Sequence, residues 1–214
     1  MKIVGSYRED GYAHLQRLVD PSMCRTLLRS VMKDLGKTAF PLTGKDAIPG
    51  VIGRPTFHIH GDKYAPLRFF LAGLTPLLEE LTGVELLPTF ALLRIYRADD
   101  LCRVHSDKED CEHGLSLTLE YSDDLPWPLE IGMVNLPGRQ KRVTEGFEGE
   151  DHATIAMSPG DAVLYRGIHR RHGRTQPNPN RWSAHLFLFW VERGGAYHEQ
   201  GAAKIDDASP VNFG

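Results

Sequence analysis

Cysteine is scarce: Cys24, Cys102 and Cys111 are the only three in 214 residues, and no two form a C-x-x-C pair. An odd, widely spaced set is no disulfide framework and fits the reduced thiols of a cytosol, each read as a small buried apolar residue. Long apolar runs are also missing. No stretch approaches the ~18 residues that cross a bilayer, and Met1 to Gly11 carry charges without an apolar segment, so neither a membrane span nor a secretory signal is expected. There is little excess charge: a formal net charge of -3 and a pI of about 6.4 exert no general pull on nucleic acid or anionic membranes. Repeats and low-complexity tracts are absent too. What remains, 41% hydrophobic and 25% charged residues, is an ordinary globular composition, and the length fits one domain over 1–214. The expectation is a soluble, cytoplasmic protein with no nucleic-acid or membrane partner.

Periodicity supplies the organisation. Tyr12 to Val19 alternates loosely and ends at Asp20-Pro21, a helix start with proline in the first turn. From Ser22 to Leu35 the residues Met23, Leu27, Leu28, Val31, Met32 and Leu35 recur at three- and four-residue steps, the mark of one helix face. Residues 38–55 read as loop, Phe57 to Ile59 as a short strand, and Tyr64 to Leu81 as a second helix stopped by Gly83. After Pro88 the texture changes. Phe90–Tyr96, Leu115–Tyr121, Ala153–Met157, Ala162–Tyr165 and Trp182–Val191 read as strands separated by turn residues. Helices followed by strands predict an α+β fold, with a helical support over about 1–88, a largely antiparallel β core over about 89–192 and a polar tail over 193–214. A double-sheet jelly roll is one way such a core manages its edges.

Chemistry concentrates at His105-Ser106-Asp107. Residues two apart on an extended chain point to one side, so the imidazole and the carboxylate can meet one ion. A nonheme iron(II) site needs a second histidine and open positions beside it. Downstream stand His113, His152, His169, His172, His185 and His198. Of these, His169 and His172 follow a strand that could neighbour the first pair, and Arg181 lies nine residues beyond His172. An arginine entering the next strand could grip the far carboxylate of a dicarboxylate that chelates the metal. His58 and His60 alternate as H-I-H and are read as packing without a third partner at hand. Ser116, Thr118 and Glu120 share one strand face. Met133 to Gly149 reads as a solvated loop, with a lid as the alternative. The basic cluster Arg166, His169, Arg170, Arg171 and Arg174 is read as a solvated loop or a salt-bridge set, with attraction of an acidic substrate as its alternative. Trp127 and Trp182 are read as core.

In order, Arg94-Ile95-Tyr96, the H-x-D of His105 and Asp107, the approach from Pro159 to Gly167, His172 and Arg181 resemble the iron(II)/2-oxoglutarate dioxygenase superfamily, in its prolyl-hydroxylase-like branch. The resemblance runs from about Phe90 to Trp190. It implies a double-stranded β-helix (jelly-roll) core braced by N-terminal helices, with His105, Asp107 and His172 on the metal and Arg181 on 2-oxoglutarate, assisted by Tyr96 and Ser183. Iron(II) and 2-oxoglutarate are the implied cofactor and cosubstrate, with ascorbate as an accessory reductant. The implied reaction is hydroxylation of a C–H bond of an amino-acid, peptide, protein or small-molecule substrate, with release of succinate and CO2. In halogenating relatives a small residue replaces the carboxylate, whereas this chain keeps Asp107. The rival is a cupin-type metal-binding domain or metalloenzyme that does not use 2-oxoglutarate and has no need of Arg181.

Overall fold

The computed structural model describes residues 1–36 and 50–202. Most of the loop expected over 38–55, and the tail beyond 202, fall outside them. In chain order the elements are β1 (Lys2–Val4), α1 (Tyr7–Asp10), β2 (Tyr12–Gln16), α2 (Pro21–Asp34), β3 (Phe57–His60), α3 (Ala65–Thr82), β4 (Leu86–Arg97), β5 (Cys102–His105), β6 (His113–Tyr121), β7 (Leu129–Gly132), β8 (His152–Ile155), β9 (Ala162–Arg166), β10 (His172–Arg174), β11 (Trp182–Glu192) and α4 (His198–Ala202). Both long helices stand where their signals place them. Asp20 caps α2 by accepting from the Ser22 N–H at 2.8 Å, and Gly83 closes α3 in the left-handed region at φ +82°.

The strands form two antiparallel sheets, one of seven in the order β1-β2-β9-β6-β11-β4-β3 and one of four in the order β5-β10-β7-β8. The larger sheet is buried on both faces, so its central strands read as near-continuous apolar runs. Ala91, Leu93 and Ile95 of β4 and Ala184, Leu186 and Leu188 of β11 share a core with Leu27, Leu28 and Val31 of α2 and Leu67, Leu71 and Leu78 of α3. The alternate residues, Leu92 and Tyr96 with Phe187 and Phe189, form a second cluster with Trp127. That second face carries the site.

The first 88 residues are more than a helical support, because β1, β2 and β3 extend the larger sheet on both sides. Strands β5, β7 and β10 are three or four residues long, too short to show a period. A bulge corrects the face shared by Ser116, Thr118 and Glu120. His185 pairs with Thr118 while Ala184 pairs with Glu120, so one residue of β6 is passed over and the sides switch. Thr118 stays beside His185 on the inner face, at 3.4 Å. Glu120 turns outward to Arg25 of α2, at 3.9 Å.

Candidate metal centre

His105 ends β5 and His172 begins β10, and the two pair across the smaller sheet. Cross-strand partners project to one face, which brings their rings to 4.5 Å between centres. Asp107 follows two residues after His105, its N–H bonded to the Gly167 carbonyl at 2.8 Å. Its carboxylate then bridges the histidines, Oδ1 lying 3.5 Å from His105 Nε2 and Oδ2 lying 3.4 Å from His172 Nε2. One ligand atom from each residue falls within 4.8 Å of the others, and among the described residues this is the one such group of three. His58 and His60 are not drawn into it.

The ring nitrogens facing away from the cluster are already engaged. His105 Nδ1 contacts the Arg103 carbonyl at 2.8 Å and His172 Nδ1 the Arg170 carbonyl at 2.9 Å, each the carbonyl two residues upstream. A carbonyl only accepts, so each Nδ1 carries the proton and each Nε2 presents its lone pair to the cluster. Asp107 Oδ2 is buried and makes no well-formed hydrogen bond, the condition of a carboxylate oxygen that awaits a cation. Burial alone would raise the Asp107 carboxyl, but when the rings also carry a proton at Nε2, His172 first and then His105 hold the group below the usual carboxylate range, and a cation bound in place of those protons would supply the same charge. Two imidazole nitrogens and one ionised carboxylate on one face suit a nonheme iron(II), since zinc sites more often recruit sulfur or a third nitrogen.

The cluster opens into a cavity of about 510 Å³ lined by Tyr96 and by the apolar Phe90, Leu92, Phe187 and Phe189. Tyr96 is buried, and burial pushes its phenol up to about 12, so it remains a donor. Ser183 is buried on the same strand row as Tyr96. Its hydroxyl is taken by Asn178 at 3.1 Å and lies 3.3 Å from His185, and Ser183 is not among the cavity's lining residues. Trp127 is core, as expected, and Trp182 is partly buried against the helix-packed face.

Arg181 is not brought to the site. Its side chain is 77% exposed and bonds Asp123 at 3.0 Å, because it precedes β11 at the surface rather than entering it on the inner face. His169 is also apart, its Nδ1 on the Leu136 carbonyl at 2.9 Å. The cavity instead holds Arg174, two residues beyond His172 on β10 and 1% exposed. Its guanidinium lies 5.0 Å from the Trp127 ring centre, donates weakly to the Trp127 carbonyl at 3.4 Å, and leaves one terminal nitrogen without a partner. Arg94 is the second buried arginine there, 6% exposed, with an Nε that has no partner among the described residues. Arg174 was legible in principle, since the alternation that joins His105 to Asp107 also joins His172 to Arg174.

The basic cluster is therefore no solvated loop. Arg170 and Arg174 are buried, and Arg171 pairs with Glu150 at 3.4 Å. Nor is 133–149 merely solvated, for Arg139, Gln140, Lys141 and Val143 wall the cavity. The Gln140 backbone is clasped by Ser106, the residue between two ligands, at 2.8 Å to its N–H and 3.0 Å to its carbonyl.

No protein-family model and no curated protein sequence matches the chain. Solved structures do. The non-heme alpha-ketoglutarate-dependent carbocyclase SnoK from nogalamycin biosynthesis superposes with a TM-score of 0.67 at 14% identity, covering 97% of this chain and 91% of its own. A Pseudomonas putida prolyl-4-hydroxylase gives 0.60 at 13% identity, over 88% of this chain and 96% of its own. The fold is that of the iron- and 2-oxoglutarate-dependent oxygenases. A third such oxygenase, the epimerase SnoN, holds Fe3+, alpha-ketoglutarate and nogalamycin RO, and matches with a TM-score of 0.66 at 13% identity over 97% of this chain and 90% of its own. At these identities the likeness to the oxygenases is one of fold. Among the described residues no helix is long and apolar enough to cross a membrane.

Proposed function

We propose that this chain is an iron(II)- and 2-oxoglutarate-dependent dioxygenase that hydroxylates a C–H bond of an amino-acid, peptide, protein or small-molecule substrate. The two sheets are read as its double-stranded β-helix, braced by α2 and α3, and 1–214 as one oxygenase domain. The observation that carries the reading is the placement of Arg174, which has no counter-charge among the described residues, in the same cavity as the His105–Asp107–His172 cluster. A buried guanidinium without a counter-charge is costly. A dicarboxylate that reaches from the metal to Arg174 supplies that charge, and the planar fork suits its far carboxylate. Arg174 thus takes the role that the sequence pattern assigns to Arg181.

Bound iron, with 2-oxoglutarate and O2, supplies the oxidant: one oxygen atom enters the substrate as hydroxyl and the other enters succinate as CO2 leaves. The chain's own residues hold and orient. His105, Asp107 and His172 would hold the metal at the wall of the cavity. Tyr96, kept protonated, can donate to the cosubstrate beside Arg174. Phe90, Leu92, Phe187 and Phe189 keep that side dry, which strengthens each charged contact within.

The test is iron(II)-dependent conversion of 2-oxoglutarate to succinate, together with the visible charge-transfer band that 2-oxoglutarate produces on a chelating iron(II). A cupin-type site that does not use the cosubstrate would show neither. The band and succinate formation should both appear in the wild type and both be lost in Asp107→Ala. Their absence from iron-loaded wild-type protein would sink the proposal.

A further inference from the structure

Charge balance in the cavity points past the cosubstrate to the substrate. Five cationic side chains line the space, Arg94, Lys108, Arg139, Lys141 and Arg174, against one carboxylate, Asp107. Asp107 belongs to the metal cluster, and Arg139 is met by Glu109 at 3.1 Å. Accepting the proposed function, iron(II) is neutralised by Asp107 and the near carboxylate of 2-oxoglutarate, and Arg174 by the far one. Arg94 is left over.

Arg94 stands on the inner face of β4, opposite His58 of β3 and His185 of β11. Neither neighbour is an anion, and burial and Arg174 keep His185 neutral. Among the described residues no carboxylate pairs with Arg94. Its polar contact is one long bond from a terminal nitrogen to the Tyr96 hydroxyl at 3.4 Å, and its Nε has none. The Tyr96 and Phe187 rings at 5.8 and 5.9 Å offer a partial substitute, well short of a counter-ion. Phe90 and Phe189, in contact at 4.6 Å between centres, continue the apolar wall next to Phe187. Lys108 and Lys141 stand exposed on the lining, where like charges raise the local concentration of an approaching anion.

We propose that the substrate is an organic acid with an apolar or aromatic body. Its carboxylate pairs with Arg94, its body lies against Phe90, Phe187 and Phe189, and Lys108 and Lys141 draw it in. Arg94 is then the residue that selects acids over their neutral counterparts. The inference rests on the proposed function, and the two can fail separately.

The experiment uses iron(II)-loaded protein with 2-oxoglutarate, without oxygen, titrated with 3-phenylpropanoate against 3-phenylpropanamide and N-acetyl-phenylalanine against its amide. Binding is read as the shift of the iron–2-oxoglutarate charge-transfer band, and 2-oxoglutarate affinity is measured first and separately. Each acid should bind at least about tenfold more tightly than its amide, the discrimination expected of a charge-assisted hydrogen bond. Arg94→Gln should erase the preference with 2-oxoglutarate affinity kept within about threefold, and Arg94→Lys should restore part of it. Wild-type protein that binds 2-oxoglutarate but shows no preference for acids, or binds neither member of either pair, overturns the inference. So does an Arg94→Gln protein that fails to bind 2-oxoglutarate, which would make Arg94 the cosubstrate anchor. Wild-type protein with no charge-transfer band fails the proposed function instead.

Discussion

His172 and Arg174 stand two residues apart on β10 and both line one cavity, so a single three-residue strand presents a candidate metal ligand and a guanidinium that has no counter-charge among the described residues to the same space. A dicarboxylate held at the cluster would share that cavity with Arg174. Arg181, at the surface on Asp123, has no comparable geometry.

The two arginines should therefore separate cleanly. Arg174→Ala should weaken 2-oxoglutarate by about 2 to 5 kcal/mol, the cost of truncating one partner of a buried charged pair, with iron still bound. Arg181→Ala should leave cosubstrate affinity unchanged and alter stability by less than about 0.5 kcal/mol, as surface changes usually do. Calorimetric titration of both variants decides the matter. The reverse pattern would return the anchor to Arg181.

The histidines after β9 permit a similar contrast. His172→Ala removes one of three ligands and should cost the protein most of its iron and its succinate formation. His169→Ala should retain both, because His169 is bonded to the Leu136 carbonyl away from the cluster. Iron content by metal analysis is the readout, and equal losses in the two variants would show that the centre is wrongly composed.

How far the chain could be read before folding depended on the length over which a pattern persists. The faces of α2 and α3 repeat over several turns, and β4 and β11 are long enough to be seen as strands. β5 and β10, which carry the two metal histidines, are too short to announce themselves. The H-x-D step was legible because its partners are two residues apart, whereas the strand pattern left His169 and His172 both open and only the family resemblance chose His172. Arg181 misled because spacing along the chain does not say which way a residue at a strand's entrance will face. Arg94 needed the cross-strand register, and that no carboxylate among the described residues pairs with it is a fact of three dimensions.

A glycine beside the centre offers a test that touches no ligand. A Cβ on Gly167 would fall 2.6 Å from Asp107 Oδ2 and overlap the Cys111 carbonyl oxygen. Relief requires both the Asp107 side chain and the backbone at Cys111 or Gly167 to shift, and either shift disturbs the Asp107 carboxylate. Gly167→Ala should reduce iron affinity at least about tenfold, and a crystal structure should show the carboxylate displaced. Gly146→Ala, with nothing within 4 Å of the added atom, serves as the control. Equal iron affinity in the two variants would mean that the Asp107 position tolerates the intrusion.

Acid should loosen the fold through His113. This imidazole is buried under α1, with the Tyr7 hydroxyl at 2.5 Å from its Nδ1. Burial first, then Arg166 and His169, pushes its pKa down to about 4 from an ordinary 6.5. Glu112 lies 3.8 Å from Nε2, and burial raises its own pKa. Between pH 6.5 and 4 the unfolded chain takes a proton that folded His113 refuses, so the stabilisation is complete above 6.5 and is lost as pH falls through that window. The depression corresponds to roughly 3 kcal/mol across it. Metal binding is itself pH-dependent, so the measurement compares wild type with His113→Asn, both free of iron, by urea unfolding at pH 7 and pH 5. The variant should be less stable at pH 7, having lost a packed ring, and the gap should narrow at pH 5. Two unfolding profiles that stay parallel between those pH values would show that His113 carries no such linkage.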